Sequence, residues 1–205
     1  MISFFDWFMT CVSARTPWVV MGKGPSFSRH KLLPPDAIGN NFTMGLNHVC
    51  RERNVFVTHA IDLQVIDEIE NLENRTDFLV MPWHPHIDFR ATGETLADIV
   101  DRHSVLAKFY GDRRLLWYNL SSWPKEPQYG SPVVKVHHFS AEAAIRMLAM
   151  CGVRTIRTLG IDGGDKYAEE FKDIRPFRGG HSSFSIQQHD IDDVVSSYNL
   201  DLKRL

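Results

Sequence analysis

Gly152-Val153-Arg154-Thr155-Ile156-Arg157-Thr158-Leu159-Gly160-Ile161-Asp162-Gly163-Gly164 is the stretch from which the architecture can be read. Ala141 to Met150 runs into it as a helix, with Ala144, Leu148 and Cys151 on one face. Gly152 is the expected C-terminal stop. Thr155 to Leu159 is a short strand, closed by an acid and two glycines. Helix, strand and glycine-bearing tip form the repeating unit of a parallel α/β sheet, and ligands bind beyond the carboxyl ends of such strands. A matching tip lies near the start, where Trp18-Val19-Val20-Met21 runs into Gly22-Lys23-Gly24-Pro25-Ser26. The two tips are expected to be two walls of one crevice.

Working outward, further strands end in polar side chains: Phe42 to Asn47, Val55 to His59, and Phe78 to Pro82 before Trp83-His84-Pro85-His86. Leu115 to Tyr118 and Val133 to Val136 are two more. Helical spacing marks Leu63, Ile66, Ile69 and Leu72, and Leu96 to Leu106 reads as one helix. Ile186 to Tyr198 is the last helix, and residues 28 to 40 read as a loop. The expectation is a single Rossmann-like α/β domain over 17–205, its mainly parallel sheet flanked by helices. Residues 1–16 form an N-terminal helix ahead of it.

The chain has 205 residues, of which 43% are hydrophobic, enough for one core. A net charge of −2 favours neither nucleic acid nor an anionic membrane as main partner. Cys11, Cys50 and Cys151 are too few and too far apart for a disulfide framework, and read as reduced, buried cysteines of an intracellular protein. The apolar segment Met1 to Val12 is too short to span a bilayer. It reads as an amphipathic helix over the sheet edge, with peripheral membrane contact as the sharper alternative. The expected location is cytoplasmic, at the inner face of the membrane under that alternative.

Several motifs carry chemistry. Gly22 and Gly24 permit a tight turn whose amides would face a phosphate or carboxylate, although neither a Walker loop nor a dinucleotide fingerprint is present. Ser140 stands where an N-cap belongs, which makes an anion site at that helix start an expectation. His84 and His86, with His137, His138, His181 and Asp88, permit a metal reading, but no third ligand has diagnostic spacing. Asp62, Asp67, Glu68 and Glu70 read as a solvated helix face.

This pattern resembles the small bacterial sialyltransferases, which transfer sialic acid from CMP-sialic acid to a sugar hydroxyl. The resemblance is carried by Gly22-Lys23-Gly24-Pro25-Ser26, Leu46-Asn47-His48, and Ser140 opening a small-residue helix. It continues in Leu159-Gly160-Ile161-Asp162, Tyr167-Ala168 and Gly179-Gly180-His181-Ser182. The resemblance implies that Gly22, Gly24, Pro25, Ser26, Asn47, Ser140 and Asp162 line the nucleotide site. It implies that Tyr167 hydrogen-bonds the leaving phosphate and that His181 is the base. No cofactor or metal is implied; the CMP-sugar is the donor substrate and a glycan the acceptor, and an oligomer is compatible.

There are departures. Gly163 and Gly164 stand where the family has a second phosphate-binding Tyr. His137 and His138 stand in place of an Arg, and Thr58-His59 in place of a second Asn. His137, His138 and His59 are therefore the expected substrate or phosphate contacts. Proteins resembling archaeal hydroxymethylpterin diphosphokinases share the Gly-Pro-Ser turn, which keeps a pterin- or metal-linked phosphotransferase or hydrolase open. A catalytically silent nucleotide- or glycan-binding domain is the other alternative.

Overall fold

The structure is a computed structural model; it describes residues 1–34, 38, 42–88, 90–121, 130–137, 139–164, 166–174 and 183–205, and for 183–185 the backbone alone. The chain opens with β1 (Ile2–Ser3) and α1 (Phe4–Cys11), followed by β2 (Trp18–Met21), β3 (Phe42–Leu46), α2 (Val49–Glu52) and β4 (Val55–His59). Next come α3 (Leu63–Asp67), β5 (Thr76–Pro82), the small hairpin β6 (His86–Ile87) and β7 (Arg90–Ala91), α4 (Leu96–Val100) and α5 (Ser104–Gly111). The last part holds β8 (Leu115–Leu120), β9 (Val133–Val134), α6 (Ser140–Met150), β10 (Thr155–Leu159), α7 (Ser183–Tyr198) and β11 (Asp201–Arg204).

Nine strands form one sheet in the order β1-β8-β5-β4-β3-β2-β10-β11, with β9 beside β8. Every pairing in it is parallel. The α/β fold with a parallel sheet is therefore as the sequence indicates. Strand residues alternate between two cores. Trp18 and Val20 of β2 face the core shared with α1, α6 and α7, whereas Val19 and Met21 face that of α2 to α5. Both faces are covered, which is why these strands read as apolar runs.

Local chemistry sets the boundaries. The Ser3 hydroxyl oxygen accepts the Asp6 N–H at 3.1 Å, capping α1. Thr95 and Asp98 form a capping box on α4. α6 ends as foreseen: Gly152 has φ +88°, its N–H donates to Ala149 O at 3.0 Å, and the Val153 N–H donates to Leu148 O at 3.1 Å. That is a Schellman stop, and the left-handed residue is the one without a side chain.

Other expectations need correcting. α1 does not sit over the sheet edge. Its Trp7 ring lies 4.7 Å from that of Phe78 and its Phe8 ring 5.9 Å from Trp18, across the sheet face. Phe4, Trp7 and Phe8 are buried, each contributing about 1.5–3 kcal/mol. The aromatic face that would enter a bilayer is thus occupied in the core, and the helix is part of the domain. The loop expected over 28–40 begins instead with a 3₁₀ helix, Pro25–Lys31. The single helix expected over 96–106 is two, broken before Ser104. Cys50 and Cys151 are buried as expected, but Cys11 is exposed.

Candidate functional site

β3, β4, β5 and β8 lie on one side of β2, and β10 and β11 on the other. The chain leaves the carboxyl ends of β2 and β10 in opposite directions, which opens a crevice between them, as in other doubly wound sheets. A cleft of about 860 Å³ occupies this place.

The two tips are locked together by backbone. The Gly22 N–H donates to Leu159 O and the Gly24 N–H to Gly160 O, both at 2.8 Å. The Gly160 N–H donates to the Ser26 hydroxyl oxygen at 2.7 Å, and the Ser26 N–H to Asp162 Oδ2 at 2.9 Å. A Cβ on Gly22 would stand 2.4 Å from Gly160 O, and one on Gly24 the same distance from Asp162 Oδ2. The glycines thus permit strand-to-strand approach. The amides expected to face a ligand at this turn are bonded within the clasp instead, and Asp162 acts as its acceptor.

Gly22, Gly24, Asn47, His137, Ser140, Asp162 and Tyr167 come together on the cleft wall from far-separated parts of the chain. Asn47 has φ +53° and its N–H donates to His59 O at 2.8 Å, so its left-handed turn ends β3 at the cleft. Ser140 is the first residue of α6. The extended cap residue is Phe139, without a side-chain acceptor, so Ser140 does not cap its own helix. His137 stands 3.4 Å through Nδ1 from both Glu142 and Asp190. Glu142 is fully buried, accepts the His137 N–H at 2.8 Å, and pairs with Arg146 at 3.0 Å.

Three expected residues are not on the wall. Pro25 is exposed and Ser26 lies behind the wall, within the clasp. His59 is a correction: it is fully buried, its Nε2 is 2.9 Å from the Tyr118 hydroxyl, and burial pulls its pKa down to about 3. A neutral core imidazole makes no phosphate contact. His138 and His181 lie outside the described residues.

The cleft also holds residues the sequence reading passed over. Lys23 lines it, with Nζ 4.6 Å from the centre of the Tyr167 ring. Burial lowers the Lys23 pKa to about 8, with Glu68 opposing, Arg51 assisting and Asp62 opposing. His48, beside Asn47, is 3% exposed and shares a 2.7 Å hydrogen bond with Glu68 through Nε2. Burial lowers its pKa, and the charge of Lys23 adds to that. Asp67, Glu68 and Glu70 are exposed, as expected of a solvated face, but Glu68 and the half-buried Asp62 also line the cleft, whereas Asp67 pairs outward with His103 at 3.0 Å. The available signals were a lysine between two glycines at a strand end and a histidine following the turn Asn. His84 Nδ1 contacts Glu94 O and takes no part in the cleft, while His86 lines it from the hairpin.

No family model and no curated protein sequence matches the chain. Among solved structures, the chain is similar to the crystal structure of an alpha-2,3-sialyltransferase from Campylobacter jejuni in apo form. The identity is 12% and the TM-score 0.47, over 93% of this chain and 75% of the other.

Proposed function

We propose that the protein is a metal-independent glycosyltransferase that moves an acidic, sialic-acid-like sugar from a CMP-linked donor to a glycan hydroxyl. The observation that carries this reading is the gathering of Asn47, Asp162, Tyr167, Ser140 and His137 around one cleft at the reversal of strand order. Asn47, Asp162, Tyr167 and Ser140 belong to the motifs that resemble the sialyltransferases, and His137 stands where that family has an Arg. In this reading the nucleotide lies across the β2 and β10 tips and Tyr167 reaches its phosphate. The acceptor oxygen attacks the anomeric carbon and gives its proton to His181. The bond from that carbon to the phosphate oxygen breaks, and CMP leaves with inversion. The role of His181 rests on Gly179-Gly180-His181-Ser182. The acceptor would be met in the cytoplasm or at the inner membrane face; among the described residues no helix is long and apolar enough to cross a membrane.

The test is thermal denaturation with CMP in the presence of a chelator, followed by transfer from a CMP-sugar. CMP should raise the melting temperature without metal, and His181→Ala should abolish transfer while keeping that rise. Absence of any rise at millimolar CMP would sink the proposal. Binding of CMP with no consumption of CMP-sugar would mark a silent binding domain. A metal-dependent phosphotransferase or hydrolase is the second reading, because ligand atoms of His137, Glu142 and Asp190 lie within 4.8 Å of one another. It predicts that the chelator lowers stability or activity.

A further inference from the structure

We propose that the Lys23 ammonium is the cation that receives the anionic group of the ligand in this cleft, a phosphate under the nucleotide reading above, on which this assignment rests. Most amides of the turn are not open to a ligand. The N–H groups of Gly22, Gly24 and Ser26 are bonded within the clasp, and the Ser26 hydroxyl accepts from Gly160. Pro25 has no N–H to give. A glycine-rich turn of this kind would ordinarily cradle an anion with its amides; here those donors hold β2 against β10. Besides the Lys23 amide, the turn offers the one long cationic side chain between the glycines.

Its position is fixed by the same bonds. The Lys23 carbonyl accepts the Ala168 N–H at 2.7 Å, and both flanking glycines are tied to β10. The side chain therefore leaves a backbone held on both sides and sets its ammonium over the Tyr167 ring at the cleft. Among the described residues its ammonium has neither a hydrogen bond nor an ion pair. A half-buried ammonium with no ion pair among the described residues is the kind of group found at sites where a ligand supplies the counter-charge.

The neighbouring charges are otherwise engaged. Arg51 is bonded to Asp173 at 2.8 Å, and His137 faces two carboxylates. Glu68 is bonded to His48. Glu68 and Asp62 stand near enough to favour the charged lysine against the effect of its burial. Lys166 reaches the cleft from an exposed position, where water competes for its charge. In the transfer reaction the Lys23 ammonium would donate to a phosphate oxygen as negative charge grows on the leaving CMP.

The experiment compares CMP with cytidine, which lacks the phosphate, by calorimetric titration of the wild type, Lys23→Met and Lys23→Gln. Loss of a charge-assisted hydrogen bond corresponds to a weakening of about 10- to 100-fold. That loss is expected for CMP in both variants, with cytidine affinity unchanged. Retention of CMP affinity within about threefold, or an equal loss for cytidine, overturns the proposal while leaving the nucleotide reading intact. If the wild type binds neither compound, the nucleotide reading fails, and inorganic pyrophosphate tests the anion site alone. Lys23-dependent protection by pyrophosphate against heat then upholds the site, and its absence removes it.

Discussion

Replacing Gly160 by Ala attacks the clasp that makes the crevice. Gly160 has φ +70°, and its ideal Cβ would lie 2.2 Å from Gly22 O, 2.7 Å from Gly22 C and 3.0 Å from Phe27 Cβ. The obstacle is backbone, so no rotamer change relieves it. A left-handed alanine costs about 1 kcal/mol before any clash. Bringing the worst contact into the ordinary range parts the tips by roughly 1 Å. That displacement strains four hydrogen bonds, from Gly22, Gly24, Gly160 and Ser26. Losing two of them at about 1 kcal/mol each brings the total to about 3 kcal/mol. For a domain of this size that is a fall in melting temperature of about 6–12 °C. The assay is calorimetric melting together with urea denaturation, with Gly164→Ala as control. Nothing lies within 4 Å of a Cβ at Gly164, so the control should stay within about 0.5 kcal/mol of wild type. A Gly160→Ala fall below about 2 °C, or one equal to that of the control, would refute the interlock as the source of the rigidity.

Three more outcomes are expected. His59 stays neutral in the folded core, with a pKa of about 3 against an ordinary 6.5. Stability tied to it is fully present above pH 6.5 and falls as the pH drops toward 3, by at most about 1.4 kcal/mol per pH unit. Urea denaturation across that window should show a shallower decline for His59→Gln than for wild type, and equal slopes would exclude His59 as a source. Lys23→Met should melt no lower than wild type at pH 7, because it removes a half-buried cation that has no ion-pair partner among the described residues; a fall of several degrees would give Lys23 a structural role. Glu142→Ala leaves the Arg146 guanidinium and the His137 N–H without their buried carboxylate, a loss of about 3 kcal/mol. The urea midpoint measures that loss, and an unchanged midpoint would show that the pair contributes nothing net.

The elements that could be read from the sequence are those whose signal is local. Thr155 to Leu159 is rich in β-branched residues (Thr155, Ile156 and Thr158) between a helix stop and a glycine, and the strand has those bounds. α6 follows from its small and apolar residues and from Gly152. Ile2–Ser3 and Asp201-Leu202-Lys203-Arg204 carry no such signal. Both are strands because an already formed neighbour, β8 or β10, offers them a parallel ladder. The helix expected over 96–106 shows the converse. Apolar residues stand at both ends of that stretch, but Asp101-Arg102-His103-Ser104 interrupts them and α5 starts afresh at Ser104.

At the site, the sequence by itself determined that several strands end in polar residues and that two of those ends carry glycines; periodicity and turn chemistry act over a few residues and are visible there. Which ends meet was decided by the tertiary structure. β2 lies between β3 and β10, so Gly24 meets Asp162 and Ser26 meets Gly160 across more than a hundred residues. The same packing took His59 into the core, turned Asp62 and Glu68 into the cleft, and left Lys23 as the cation of the turn. A pattern along the chain records which residues can form a strand or a tip, but solvation and charge balance depend on neighbours that only the closed sheet brings within a few ångströms.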